Sequence, residues 1–296
     1  MSPISKSRIW FVVNPIAGNS QKEDFPEFVE STLDHSFYQY EIKYTHGPGH
    51  AVELGKEAAA SGIEMVVAVG GDGTINEVAR GLINTETTLG IIPRGSGNGL
   101  ARHLNIPLNF EGALKLINTG RKSKIDTGTI NGNVFVSIAG VGFDALVADQ
   151  FAKEPGRGFI TYFKIVAGHY QNYIPEEYTI ILDNNQIINT SALFVTLANS
   201  NQFGYNTTIA PEAKLNDGLL DVCIVEKPNI FEMPVIINLM LLKMIHKSRY
   251  VTIHKSANIK IIRHQDAVVN IDGEPVILGK ELDIKILPLS LNVIIP

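Results

Sequence analysis

The sequence is poor in cysteine, in positive charge and in long apolar runs. Its one cysteine, Cys223, can form no disulfide within the chain, and it lies in an apolar run typical of a buried thiol in a reducing compartment. The 25 lysines and arginines are outnumbered by 30 acidic residues, and the net charge of -5 argues against general nucleic-acid binding. The most apolar segment, residues 230–245, is too short to span a bilayer and contains Glu232, Pro234 and Lys243.

Several common catalytic signatures are also absent. We find no G-x-x-x-x-G-K-[ST] phosphate loop, no G-x-G-x-x-G directly after a strand, no H-E-x-x-H and no G-x-S-x-G. These absences exclude a Walker-type nucleotide site, a zincin and an α/β-hydrolase. If the protein binds a nucleotide, another arrangement must neutralise the phosphates.

Hydrophobic periodicity divides the chain into two parts. Residues 1–128 alternate apolar runs and helical patterns, which predicts an α/β domain with a parallel sheet. We expect strands at 8–14, 40–45, 64–69 and 88–92, and helices near 24–33, 50–61, 75–83, 98–105 and 110–118. Residues 129–288 read as an antiparallel, sandwich-like β domain with helices near 159–171 and 230–245, and 289–296 is a further strand that could complete the first domain.

Four loops rich in glycine and small polar residues follow the predicted parallel strands. They read NPIAGNS, THGPGH, GGDGT and PRGSGN. Ligands of open α/β sheets bind at the carboxyl ends of strands, where backbone N–H groups attract anions. Together, the loops predict a nucleotide site.

Asp72, in GGDGT, conflicts with a simple phosphate cradle. At about 4 Å from a phosphate oxygen, and at an effective dielectric of about 20, each charge pair would cost roughly 4 kcal/mol. A divalent cation between the two groups would turn this repulsion into attraction. The alternative is a carboxylate that bonds to local backbone amides.

Thr74 and Glu77 have two interpretations as well. Thr-x-x-Glu at the head of an apolar-periodic helix is a capping box, in which each side chain bonds to the other residue's amide. Capping would explain both residues without a ligand, and nucleotide binding is the competing interpretation.

The ordered motifs resemble the diacylglycerol kinase catalytic-domain family, which includes bacterial lipid kinases, sphingosine kinases and ceramide kinases. The likeness covers nearly the whole chain, and its motifs are VNPIAG, GGDGTINEVARGL, GIIPRGSGNGLARHLNIP, IDTGTINGNVFVSIAGVGFDA, IAPEAKLNDGLLDV and NIDGEP. The resemblance implies an ATP-dependent lipid kinase with an NAD kinase-like or phosphofructokinase-like first domain and a lipid-substrate second domain.

The resemblance also assigns site residues. The implied nucleotide contacts are Asn14, Pro15, Ile16, Ala17, Gly18, Thr45, Gly71, Asp72, Gly73, Thr74, Ile75, Asn76, Glu77 and Ser96. Implied catalytic residues are Asp72, Asp126 and Glu274, with Glu274 as general base, and Mg²⁺ is assigned to the carbonyls of Lys214 and Leu219 and the carboxylate of Asp217.

One position departs from the bacterial pattern. Gly99 stands where bacterial diacylglycerol kinases usually have an aspartate, and GSGN followed by a small residue resembles sphingosine and ceramide kinases. The expected acceptor is therefore the hydroxyl of a diacylglycerol or a sphingoid-type lipid.

The expected setting is the cytoplasm, with peripheral association with a membrane and no nucleic-acid partner; a homodimer stays open. The helix near 230–245 is expected to pack on the β domain, and the alternative is that it rims an acyl-chain groove or touches an anionic membrane. Two functional rivals are kept: an NAD kinase-like enzyme, which shares GGDGT, and a catalytically silent nucleotide- or lipid-binding protein.

Overall fold

The computed structural model describes residues 6–17, 25–154, 158–183, 185–204 and 207–296. The chain divides into two compact units, residues 1–125 with 289–296 and residues 126–288. Gly18, one of the residues assigned to the nucleotide loop, lies outside the described residues.

The first unit is an α/β layer structure with a parallel sheet. Its strands are β1 (Ser7–Val13), β2 (Tyr38–Tyr44), β3 (Met65–Gly70) and β4 (Thr88–Pro93), and its helices are α1 (Phe25–Thr32), α2 (His50–Ala60), α3 (Asp72–Leu82), α4 (Gly99–His103) and α5 (Phe110–Thr119). The strands run in the order β2-β1-β3-β4. Asn292 and Val293 pair in parallel with Thr88 and Leu89 of β4, so a C-terminal strand extends the sheet.

Burial explains why these segments form strands and helices. Every residue of β3 and β4 is buried, which is typical of parallel strands covered by helices on both faces. The apolar side of α3, with Ile75, Val78 and Leu82, is buried as well. The predicted strands and helices of this unit are confirmed to within three residues, and the largest shift is at α3, which begins at Asp72 instead of residue 75.

The second unit is built mainly from β-strands. They are β5 (Arg121–Ile130), β6 (Asn133–Phe135), β7 (Ile138–Gly142), β8 (Glu176–Leu182), β9 (Ile187–Ala192), β10 (Phe194–Ala198), β11 (Gln202–Gly204), β12 (Thr207–Thr208), β13 (Leu220–Val225), β14 (Val251–Ser256), β15 (Asn258–Ile262), β16 (Ala267–Ile271), β17 (Glu274–Leu278) and β18 (Glu281–Ile295). The helices are α6 (Phe143–Lys153), α7 (Phe159–Tyr170) and α8 (Met233–Leu241). Strand β5 begins in the first unit and β18 ends in it.

Two antiparallel layers enclose the core of the second unit. One is a six-stranded sheet in the order β14-β13-β10-β7-β16-β17, and the other contains β15, β8 and β9. Val141 and Val222 of the first layer share one buried cluster with Ile180 and Ile261 of the second. The predicted α/β domain followed by an antiparallel, sandwich-like domain is therefore confirmed.

Two helices of the second unit differ from the expectation. Helix α6 was not predicted, because it begins directly at the end of β7, where Gly142 has a φ of 86°. Helix α8 packs on the β domain through Ile236, Leu239 and Met240, as expected, but it is not a core helix, because only Ile236 of its nine residues is buried. Within the described ranges, no helix has the length and apolar character that a membrane span requires.

Candidate active site

The loops that follow β1 to β4 lie at one edge of the first unit's sheet, called here the carboxyl edge. Parallel register brings them there: Val13 pairs with Tyr44 and Val69, and Gly70 pairs with Pro93. Asn14 at the end of β1 donates from Nδ2 to Oγ1 of Thr74 in α3 over 3.1 Å. The carboxyl edge therefore brings together loops that are far apart in the sequence.

Two glycines allow the third and fourth loops to touch. A Cβ at Gly95 would lie 2.7 Å from Cα of Gly71, and one at Gly97 would lie 2.7 Å from Oδ2 of Asp72. Neither position has room for a side chain. The glycines of GGDGT and PRGSGN thus serve close backbone packing.

The carboxylate of Asp72 holds these two loops together. Its Oδ2 accepts the amide of Asn98 at 2.8 Å and its Oδ1 accepts the amide of Gly99 at 2.7 Å. Asn98 and Gly99 are buried, and Gly99 begins α4. The partners of Asp72 are thus amides, as one of the two interpretations required, and they belong to the neighbouring loop.

Of the two interpretations of Thr74 and Glu77, the capping box is wrong. Both residues lie inside α3, whose N-cap is Gly71 and has no side-chain cap. The carboxylate of Glu77 instead accepts the amides of Gly49 at 2.9 Å and Ala51 at 3.1 Å, at the start of α2. Glu77 therefore caps a neighbouring helix and fixes the loop after Thr45.

The other residues assigned to the nucleotide differ in accessibility. Pro15, Ile16, Gly73 and Ser96 are exposed at the carboxyl edge, and Ala17 is half-buried. The side chains of Ile75 and Asn76 are buried, so Ile75 could meet a ligand only through its main chain.

Arg94 is a functional candidate that the sequence analysis missed. It lines a small cavity of about 40 Å³ together with Asn14, Pro15 and Tyr44. It follows β4 directly, and its amide donates to the carbonyl of Gly70 at 2.7 Å. A signal was available, since a cation stands beside the glycines in PRGSGN.

In the second unit, Asp126 is buried and fixes the loop of residues 214–219. Its Oδ2 accepts the amide of Gly218 at 2.8 Å, and its own amide donates to the carbonyl of Leu215 at 2.6 Å. Asn199 donates from Nδ2 to the Asp126 carbonyl at 2.8 Å. Asp126 and the predicted metal loop are therefore brought together.

The predicted metal ligands lie on this loop, which turns at Gly218 with a φ of 72°. Oδ1 of Asp217 accepts the amide of Leu219 at 3.2 Å, and Oδ2 lies 3.4 Å from Nζ of Lys255. The same Nζ lies 2.9 Å from Asp221, whose pKa is raised by burial. No group of three or more His, Cys, Asp or Glu side chains suited to a metal occurs in the described part of the chain.

Glu274 is the first residue of β17 and follows a two-residue turn at Asp272 and Gly273. Both turn residues have positive φ values, 50° and 91°, which is typical of a tight hairpin. The Asp272 carboxylate accepts three amides, from Val136 at 2.6 Å and from Ser137 and Ile138 at 2.8 Å. The turn that carries Glu274 is therefore tied to the segment before β7.

A second carboxylate lies near this turn and was not predicted. Asp144 in α6 is 5% exposed, and its two oxygens accept Nδ2 of Asn270 at 3.1 and 3.0 Å. Burial raises its pKa to about 6. Asn270 also accepts the amide of Gly273 on Oδ1 at 2.8 Å.

The comparisons with known proteins follow this architecture. Residues 8–130 match the model of the diacylglycerol kinase catalytic domain, and residues 137–295 match the YegS C-terminal NAD kinase beta sandwich-like domain. A diacylglycerol kinase of Bacillus subtilis (strain 168) is 32% identical over 275 residues, which cover 90% of this chain and 89% of the relative. The chain belongs to the diacylglycerol kinase family.

Three further proteins are similar to this chain in sequence or in fold. A diacylglycerol kinase of Staphylococcus aureus (strain MRSA252) is 29% identical over 91% of this chain and 86% of its own. A crystal structure of a diacylglycerol kinase from Bacillus anthracis str. Sterne has a TM-score of 0.77 at 22% identity and covers 98% of this chain and 97% of its own. Yeast NADH kinase has a TM-score of 0.56 at 11% identity, over 99% and 84% of the two chains, and shares the fold alone.

Family membership confirms the resemblance seen in the sequence. The chain is thereby placed among kinases, enzymes that transfer a phosphoryl group to an alcohol. The individual site residues stay predictions, which the described geometry sharpens.

Proposed function

We propose that the protein is a cytoplasmic, ATP-dependent lipid kinase that transfers the γ-phosphoryl group to the hydroxyl of a diacylglycerol or sphingoid-type lipid. The observation that carries the proposal is the carboxyl edge, where Asp72 gathers two glycine loops beside the Asn14 loop. Backbone amides concentrated at the carboxyl ends of parallel strands suit an anionic nucleotide.

ATP binds at this edge through Asn14 to Ala17, Thr45, Gly71 to Glu77 and Ser96. Gly73 leaves open space beside the main chain, since a Cβ there would meet no atom within 4 Å. The sequence has no phosphate-loop lysine, and Arg94 supplies a positive charge for the phosphates in its place. Each Asp72 oxygen accepts one amide and keeps a lone pair, so the carboxylate can still face a Mg²⁺ ion bound to the phosphates.

Glu274 is the general base that takes the proton from the lipid hydroxyl. A carboxylate in this role must be aimed at the hydroxyl, and Asp272 provides a fixed hairpin for it through three amide hydrogen bonds. Asp126 acts on the other loop of the second unit, where it holds Gly218 in place.

The loop of residues 214–219 fits a structural Mg²⁺ ion in its donor chemistry. The carbonyls of Lys214 and Leu219 and the carboxylate of Asp217 are all oxygen donors, as Mg²⁺ prefers. An ion there would share the Asp217 carboxylate with Lys255. When bound, it stabilises the loop that Asp126 fixes.

Helix α8 and the residues around it are proposed to contact an anionic membrane surface. Phe231 is 87% exposed, Val235 58% and Leu242 66%. Residues 227–250 contain four lysines and arginines and one acidic residue, a local charge of +3 in a chain of net charge -5. Exposed apolar side chains beside basic residues suit an anionic bilayer, which would present the lipid substrate.

The test of the proposed function is transfer of labelled γ-phosphate from ATP with Mg²⁺ to a panel of diacylglycerol, sphingosine, dihydrosphingosine, ceramide, undecaprenol and NAD. We expect label in a diacylglycerol or a sphingoid lipid and none in NAD. Label in NAD alone would establish the NAD kinase-like alternative, and binding of ATP and lipid without any labelled product would establish the silent one.

A further inference from the structure

Asp144 is a buried acid for which the described structure shows no cationic partner. Its hydrogen bonds come from the neutral amide of Asn270. A Cβ at Gly140 would lie 2.0 Å from Oδ2 of Asp144, so the carboxylate sits directly on the backbone of β7. Burial of an ionised carboxylate without a positive partner costs stability, and such groups occur disproportionately at functional sites.

The hydrogen bonds of Asp144 determine how the Asn270 side chain is oriented. An ionised carboxylate only accepts, so Asn270 must turn its NH₂ group toward Asp144. Its carbonyl oxygen is then directed at the amide of Gly273, 2.8 Å away. The reversed amide would place oxygen against oxygen and NH₂ against N–H.

Two side chains therefore hold the turn before Glu274 in place, that of Asn270 and that of Asp272. The Gly273 amide that Asn270 accepts belongs to the residue directly before Glu274. Asp272 in turn accepts the amides of residues 136–138. With both bonds formed, the main chain that leads into Glu274 is fixed on two sides.

We infer that Asp144 is a positioning residue for Glu274, acting through the amide of Asn270. The inference rests on the proposed function, in which Glu274 is the general base. Asp144 itself is buried and is not expected to touch the substrate. A buried charge in this place costs stability but reinforces one orientation of Asn270, because an asparagine at position 144 could face either end of the Asn270 amide and would leave the choice to the Gly273 amide alone.

Exchanging the side chains of Asp144 and Asn270 tests the inference. Asn270→Asp places two carboxylates face to face, and we expect kcat to fall about 10- to 100-fold with KM for ATP unchanged. Adding Asp144→Asn restores the pattern with the two roles exchanged. The amide introduced at position 144 donates to the carboxylate introduced at position 270, and the second oxygen of that carboxylate accepts the amide of Gly273. The double variant should recover to within about threefold of wild type.

Asp144→Asn alone separates positioning from packing. It removes the buried charge, so we expect a higher Tm at pH 8, but it weakens the preference for one amide orientation and lowers kcat about 3- to 10-fold, the equivalent of about one hydrogen bond. A merely structural role would move the two readouts in the same direction. Asp183→Asn is the control for loss of a carboxylate acceptor at an exposed position of the same unit, since Asp183 accepts the amides of Ala257 at 2.6 Å and Asn258 at 2.9 Å.

Hydrogen exchange of the peptide covering residues 267–278 provides a readout independent of activity. We expect faster exchange in Asn270→Asp and wild-type protection in the double variant. Failure of the double variant to recover protection, or a kcat loss in Asp183→Asn equal to that in Asp144→Asn, would overturn the inference. If the wild type phosphorylates no lipid, the proposed function fails. The hydrogen-exchange pattern then still shows whether Asp144 and Asn270 act as a pair on the turn before Glu274.

Discussion

Asp72 in the first unit and Asp272 in the second both stand in glycine motifs, and both gather backbone amides from a distant part of the chain. Asp72 accepts two amides, from Asn98 and Gly99. Asp272 accepts three, from residues 136–138, and its own φ is 50°. The difference indicates that the Asp272 carboxylate has a structural role, whereas the Asp72 carboxylate combines a structural role with the ligand role proposed for it.

Glu274→Gln should have the largest effect, and it is an effect on rate. A glutamine keeps the shape of the side chain but cannot take a proton, so kcat for lipid phosphorylation should fall about 100- to 10,000-fold. The Tm should stay near that of wild type because Asp272 continues to hold the turn. An unchanged rate in the transfer assay would reject Glu274 as base and leave the turn as a purely structural element.

Asp272→Ala should have the largest effect on stability. Three amides lose a charged acceptor, and we expect the free energy of unfolding to fall by about 4 kcal/mol. Urea unfolding monitored by circular dichroism measures this loss. A loss no larger than that of Asp72→Ala would contradict the conclusion that Asp272 has the larger structural role of the two aspartates.

Asp144 should give the second unit a pH dependence that Asp144→Asn lacks. Its pKa is raised from 3.8 to about 6, a difference worth about 3 kcal/mol between the two protonation states. Because the folded-state pKa is the higher one, the stabilisation is complete below about pH 3.8 and is lost as the pH rises through about 6.

Roughly half of that change falls between pH 5 and pH 8. Urea unfolding at these two pH values should therefore show Asp144→Asn gaining about 1.4 kcal/mol on wild type as the pH rises. A constant difference would show that the carboxyl is not buried as described.

Local sequence patterns predicted the units because each element carries its own signal. Continuous apolar runs identified β3 and β4, and glycine loops identified the carboxyl edge. The partners of the carboxylates were not predictable, since Asp72 and Gly99 are 27 residues apart and Asp144 and Asn270 are 126 apart. Those pairings depend on which loops meet in the fold.

Two other misses have physical reasons. Helix α8 is rich in leucine, isoleucine and methionine, and its composition indicates burial, but composition does not show whether the rest of the unit covers it. Helix α6 follows β7 without a connecting loop, so no turn signal in the sequence separates the helix from the apolar strand before it.

Asp72→Asn should destabilise the first unit only moderately while it removes activity. An asparagine presents one oxygen acceptor and sets its NH₂ group against the other amide, so we expect a loss of about 2 kcal/mol with the fold retained. Lipid phosphorylation should be lost, because the proposed charge toward Mg²⁺ is gone. Near-normal kcat would reduce Asp72 to the same purely structural role as Asp272.

Glu77→Ala should have the smallest effect. The amides of Gly49 and Ala51 lose their partner at the start of α2, and loss of a helix cap typically costs about 1 kcal/mol. Glu57→Ala, at an exposed position of the same helix, is the matched control and should be nearly neutral. If Glu77 instead binds the nucleotide directly, KM for ATP will rise while the free energy of unfolding stays at the control value. A fall in stability with a smaller rise in KM shows that Glu77 acts through the loop after Thr45, as a carboxylate that builds the site in the way Asp272 does.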